Sequence, residues 1–553
     1  MKNVTPLPIL LIVLVALFSP EFLEGRAQGL NKSTASCDLS FASSQSLRRT
    51  PFEFVGVALP LRAQTATPAS ISRKAGEVVS EKASLTTAET GTVNFELGTL
   101  YVPENRSDPK SRIIGVGFAR FRALKPTGGP PIFLLPGGPG YSFLMELKQS
   151  SKKLASNLRE VVLYRRFADV VLVDQRGYSE RGEILKFKYL DPGRPLDQPA
   201  SLARATADYV EMARAAVAEF AQKGIDMRGY TIKECADDVN DLRQAIGYDR
   251  IILVGGSFGS QWSFAVMRRH PDIVARALVS GVEPLDYGID MPSHVFAAVQ
   301  RVWWEEDKDP QWQPYLPQGG LTTAAREVLR RLERAPVMIK VKNEKTSETV
   351  TISLGREDFQ RDFIDTQEPA FLLSLYYEHY DKWARSVLRG RRAHEEEIAL
   401  IGKLIDSSLG VTPRREYLLR TDPATDFLGQ WQLAPTKAAA DIWPSPNVGD
   451  EFRNEVLSQI PVVFVHGDWD TSTPVENTLN VAPYFPNGRV LIAVNGRHGV
   501  LEQIDKTFPK IMVALLEFLE TGKTANLPAR ITLPIDRRDF DPIEFPPPAP
   551  KVQ

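Results

Sequence analysis

Apolar positions are unevenly spread along the chain. One block, Leu7–Phe18 (LPILLIVLVALF), stands near the N-terminus, and residues 28–90 are rich in Ser, Thr and Ala with few periodic apolar runs. From Val93 the pattern changes. FELGTLYVP and IIGVGFARF predict two strands that pair antiparallel. PPIFLLP, DVVLVDQRG, RIILVGG, RALVSG, IPVVFVHG and GRVLIAV follow as short apolar runs bounded by turn residues. Strands that are apolar at nearly every position suit a sheet buried on both faces. Helical patterns lie between them, among them 231–246, with Thr231 as N-cap, and 258–269, closed by Pro271. Strands alternating with helices predict an α/β fold with a mostly parallel, doubly wound sheet.

The alternation breaks once. Between Val279 and Val462, about 180 residues contain no strand–helix unit of the core type. The segment predicts a helix at 322–334 and a hairpin of VMIKVK and TVTIS. It holds six of the eight tryptophans: Trp303, Trp304, Trp312, Trp383, Trp431 and Trp443. So large an aromatic-rich insertion reads as a cap over a site. The expected organisation is a leader over 1–27, an extension or linker over 28–92 and a first core part over 93–284. A mainly helical cap follows over 285–455, then a second core part over 456–525 and a proline-rich tail over 526–553, with DPIEFPPPAP from Asp541.

Twelve helical residues span about 18 Å, short of the roughly 30 Å hydrocarbon core of a bilayer. With Lys2 before it and Gly25 and Ala27 after it, the N-terminal block reads as a secretory signal, which implies export to the periplasm or beyond the cell. A short interfacial anchor is the other reading. An oxidising compartment would let Cys37 and Cys235 pair, and closing so long a loop contributes about 5 kcal/mol; two buried free thiols are the alternative. Lys plus Arg total 67 against 68 Asp plus Glu, a net charge of -1, so no basic excess draws in nucleic acid or an anionic membrane. Two cysteines are too few for a four-thiolate zinc site.

The chemistry begins at Gly255-Gly256-Ser257-Phe258-Gly259, which fits G-x-S-x-G. The motif is weak by itself, but here it follows the buried-type strand Ile251–Val254 and opens a helix, the arrangement of a nucleophile elbow. A serine hydroxyl needs a base, expected as a histidine on a late loop with an acid before it in the chain. His498, in VNGRHGV after the strand Val490–Val494, is the candidate base, with His466 as its rival. The acid comes from HGDWDTSTP: Asp470 is the candidate and Asp468 the alternative. The order Ser257, Asp470, His498 is that of α/β hydrolases. Pro136-Gly137-Gly138-Pro139-Gly140 follows the strand Ile132–Leu135, where backbone N–H groups can reach an oxyanion, and Gly138 and Phe258 are expected to supply them.

Together PGGPG, DQRG (Asp174–Gly177), GGSFGS and GDWDTSTP resemble the proline iminopeptidase and tripeptidyl aminopeptidase family of α/β hydrolases. The resemblance covers about residues 93–285 and 455–505. It implies an α/β-hydrolase fold with the cap inserted before the acid, a Ser257–Asp470–His498 triad, and release of residues from free peptide amino ends, with cap acids holding the ammonium. Pro136 stands where these enzymes often have His, and Phe258 where they often have Trp. Asp174 and Arg176 read as structural. A carboxylesterase on the same scaffold is the alternative activity. Acids that could hold a substrate ammonium are Glu283, after the strand Ala277–Gly281, and Glu305 and Glu306, after Trp303-Trp304. His394-Glu395-Glu396-Glu397-Ile398 lacks the second histidine of a zinc helix, and Gly522-Lys523-Thr524 lacks the first glycine of a P-loop, so no metal or nucleotide cofactor is expected.

Overall fold

The computed structural model describes residues 73–87, 90–125, 128–147, 152–342, 347–363, 368–536 and 541–547. The expected leader and Cys37 lie outside them. The strands, in chain order, are β1 Val78–Thr87, β2 Gly91–Pro103, β3 Ile113–Phe121, β4 Ile132–Leu135, β5 Val170–Val173, β6 Lys186–Asp191, β7 Ile251–Gly256, β8 Val274–Ser280, β9 Val337–Lys342, β10 Thr349–Leu354, β11 His394–Ala399, β12 Val462–Gly467, β13 Arg489–Val494 and β14 Arg530–Thr532. Ten of them form one sheet in the order β1-β2-β3-β5-β4-β7-β8-β12-β13-β14. The β1–β2, β2–β3 and β3–β5 pairs are antiparallel, and from β5 to β14 every neighbour is parallel.

Alternate residues of each central strand serve two different cores. Ile251 and Leu253 of β7, Val171 and Val173 of β5, and Val462 and Phe464 of β12 face one layer. Ile252 and Val254, Val170 and Leu172, and Val463 and Val465 face the other. The first layer contains the helices Leu202–Gln222, Ile232–Ala245 and Phe258–Arg269, and the second Lys152–Tyr164, Val500–Thr507 and Pro509–Thr521. This double burial is why the strands carry no polar alternation. Thr231 caps its helix by accepting from the Glu234 N–H. Cys235, on that helix, is fully buried, and burial pushes its thiol pKa up.

Two segments differ from the sequence expectation. β1 lies within the supposed linker, yet pairs with β2 from Val78↔Leu100 to Thr87↔Gly91. β14 lies within the supposed tail and extends the parallel sheet beside β13. The cap is also narrower than 285–455. Its own core joins Val299, Trp303, Val328, Phe359 and Trp383 on the helices Pro292–Glu306, Gly320–Arg334, Arg356–Asp362 and Asp381–Gly390 with Trp312 from the turn between the first two, beside the hairpin β9–β10. At Leu400 the chain returns to the main core, where Leu400, Ile401, Leu404 and Ile405 pack with Trp443 and Phe452, while Phe427 farther on rejoins the cap core. β11 makes the passage by pairing antiparallel with β6. No helix among the described residues is long and apolar enough to cross a membrane.

Candidate active site

Ser257 sits between β7 and the helix Phe258–Arg269 at φ 56° and ψ -133°, a left-handed conformation that a non-glycine residue rarely adopts. Its N–H donates to the Ser280 carbonyl (3.0 Å), and its own carbonyl accepts from the Ser260 N–H and hydroxyl. The turn is crowded by backbone. A Cβ on Gly255 would lie 2.2 Å from the Gly259 carbonyl oxygen, and one on Gly259 2.2 Å from that of Leu135. Only glycine fits either place, so the serine is lifted above the sheet's carboxyl edge with its side chain partly exposed.

The acid loop leaves β12. Asp470 is fully buried: one oxygen accepts from the Ser472 and Thr473 N–H groups (2.9 Å each), the other from the Thr473 hydroxyl (2.9 Å) and His498 Nδ1 (2.8 Å). Burial alone would raise its pKa, but His498, with His466 and the hydrogen bonds, holds it far below the usual carboxylate range. His498 is shifted the other way: burial lowers its pKa, Asp470 outweighs burial, and the net shift is upward. The ring of His498 packs on Gly281, where a Cβ would meet its Cε1 at 3.0 Å. Ser280 and Gly281 are thus the corner on which the serine backbone and the imidazole converge.

Both rivals are occupied elsewhere. Asp468 accepts from the Asn495 N–H (2.7 Å) and its carbonyl from Arg301 Nε (2.6 Å), which fixes the turn ahead of His498. His466 lies 3.5 Å from Asp470, but its Nε2 meets the Thr473 carbonyl and its Nδ1 the Thr478 hydroxyl, each at 2.6 Å.

The glycine loop after β4 lies against the elbow, with Gly137 facing the Ser257 side chain, and Gly138 turns at φ 110°. Phe258 is buried at the first position of the elbow helix, where N–H groups have no intrahelical partner. Asp174 and Arg176 lie beneath. Asp174 accepts from Ser142 and Ser179, and burial pushes it up to about 7. Arg176 is fully buried and bonds both oxygens of Asp238 (2.6 and 2.7 Å).

The three candidate amine-binding acids separate. Glu283 is at the site: its N–H donates to the Ser260 hydroxyl, and burial together with Asp290, Asp406 and Asp470 drives its pKa well up. Glu305 and Glu306 take partners within the cap. Glu305 pairs with Lys308 (2.8 Å), and Glu306 accepts from Trp312 Nε1 (2.7 Å) inside the cap core. They end the helix that begins at Pro292. The sequence reading missed Asp290, which precedes this helix. It accepts from Asn477 Nδ2 (3.1 Å), burial pushes it up to about 7, and it is close enough to His498 to raise the imidazole pKa. Its one sequence signal is its place in the same post-β8 loop as Glu283. Among the described residues no group of three or more His, Cys, Asp and Glu is placed to hold a metal ion.

A family model for the alpha/beta hydrolase fold matches residues 130–503. No curated protein sequence matches the chain. Solved structures similar to it include a serine hydrolase from the hydrocarbon-degrading bacterium Cycloclasticus zankles (12% identity, 77% of this chain and 99% of that one, TM-score 0.32). Others are a thermophilic esterase from Thermogutta terrifontis (14%, 76% and 99%, 0.30) and a meta-cleavage product hydrolase from Pseudomonas fluorescens (13%, 74% and 96%, 0.31). Likeness at this level carries nothing about substrate. The family model, by contrast, spans well over half of the chain, and on that ground the protein belongs to the α/β-hydrolase fold family and is a hydrolase.

Proposed function

We propose that the protein is an exported serine hydrolase that releases residues, proline or short peptides, from free peptide N-termini. Ser257 Oγ attacks the scissile carbonyl while His498 takes its proton. Asp470 keeps the imidazole in the Nδ1–H tautomer and stabilises the imidazolium. The N–H groups of Gly138 and Phe258 receive the oxyanion, His498 returns the proton to the leaving amine, and a water activated by the same imidazole frees the acyl group.

The observation that carries the peptide reading is the pair Glu283 and Asp290. Both are desolvated beside Asp470, and neither has a Lys, Arg or His nitrogen within 4.0 Å among the described residues. The charge of Arg415 reaches both acids from beyond that distance, but its guanidinium is taken by the Ile289 carbonyl and the Tyr287 ring. A substrate ammonium would be the pair's direct partner, and a buried ammonium selects strongly for its partner. N-acetylation of a good peptide substrate should abolish turnover. Glu283→Gln or Asp290→Asn should raise KM for free peptides and spare a neutral p-nitrophenyl ester. Asp290 is neutral below about pH 7 and charged above it, so KM for free peptides should fall as pH rises through 7. Equal turnover of acetylated and free peptides excludes an aminopeptidase. The second reading, a carboxylesterase, is favoured by those same upward shifts: burial that disfavours charge on both carboxyls suits an uncharged substrate.

A further inference from the structure

The strand β4 ends at Leu135, so the glycine loop that follows has no ladder of its own to hold it. Gln175, the second residue of DQRG, is fully buried beneath this loop. Its Oε1 accepts from the Gly140 N–H (2.9 Å), and its Nε2 donates to the Gly137 carbonyl (3.1 Å). The two bonds close a ring across Gly138 and Pro139. They also fix the orientation of the amide, since Gly140 N can only donate and Gly137 O can only accept. The neighbouring Asp174 takes the hydroxyl of Ser142, where the loop leaves (2.8 Å). On its outer side the loop rests on Ala399, Ile401 and Gly402.

We infer that Gln175 is the positioning residue of the oxyanion hole: its amide sets where the Gly138 N–H points. The inference rests on the serine-hydrolase reading above. A flexible glycine turn samples many N–H directions, and a donor aimed at developing charge is effective only when its place is fixed beforehand. One planar head must offer an acceptor and a donor side by side. Glutamine does; ionised glutamate offers acceptors alone, and methionine neither.

The test compares wild type, Gln175→Met and Gln175→Glu on whichever of a p-nitrophenyl ester or an aminoacyl arylamide wild type turns over, with fluorophosphonate labelling of Ser257 and thermal melting in parallel. Gln175→Met should lower kcat on the order of 100-fold, as loss of an oxyanion donor does. KM should stay within roughly threefold, and labelling should slow in step with kcat. Gln175→Glu should be slower still, whatever the order of melting temperatures, because its charge opposes the oxyanion. If both variants keep kcat within about twofold, or if kcat merely follows melting temperature, the inference is overturned. If wild type is not labelled, or Ser257→Ala keeps its turnover, the serine reading has failed and this one with it.

Discussion

At the scale of single residues, two aspartates two positions apart do different work. Asp470 takes the imidazole; Asp468 takes the backbone of the turn that carries it. Asp470→Asn should therefore lower kcat on the order of 10⁴-fold by admitting the wrong tautomer. Asp468→Asn should cost far less, and the reverse ranking would move the acid to Asp468. Since the His498 pKa is raised by Asp470, the base is freed late. kcat should rise with pH through a midpoint above the unperturbed value of about 6.5. A profile flat from pH 5 to 8 would exclude a histidine base. The contact of Asp470 with His498 was legible in the sequence because strand, turn and chain order each constrain where such residues fall. Asp290 was not, because what gives it meaning is Asn477, contributed from far along the chain. Glu305 and Glu306 were offered on nearness to a candidate loop in sequence, which does not say which partners the side chains at a helix end will take: Lys308 for the one and Trp312 for the other.

At the scale of elements, the elbow shows how backbone proximity selects residues. Gly259→Ala would drive a Cβ into the Leu135 carbonyl, so the strand, helix or loop must shift. A loss on the order of 3 kcal/mol is expected in a denaturant titration, with activity falling alongside. An unchanged midpoint would show that the turn relaxes freely. The central strands were legible because burial on both faces writes itself as an unbroken apolar run. β1 and β14 were not. An edge strand has one neighbour, β1 is largely exposed, and β14 has three residues, so neither carries a pattern distinct from a loop. The helix Leu400–Leu409 was assigned to the cap because an apolar helix face does not say which surface it will meet.

For the whole molecule, the cap is fastened at both ends. On one side Arg301 ties the helix Pro292–Glu306 to Asp468 and to Glu476 beyond the acid loop. On the other the proline-rich tail crosses it. Phe545 stacks on His379 (4.2 Å) and packs edge-on against Tyr315 and Tyr377, its carbonyl accepts from the Tyr315 hydroxyl, and Asp541 pairs with Lys382. Truncation after residue 540 should uncover these rings and lower the melting temperature of the cap. A melting curve unchanged by the truncation would make the tail a passenger.

The residue between the two aspartates has a different kind of consequence. Trp469 is buried in the cap's core, not in the core beneath the sheet, although the chain on either side of it belongs to the acid loop. Cap and acid loop are therefore not separate modules that can be inherited or exchanged one at a time. A chimera that imports a foreign cap over residues 292–390 would leave an indole without its socket one peptide away from Asp470. Selectivity engineered by swapping caps in this protein would have to carry residues 468–473 along with the cap, or redesign both surfaces together.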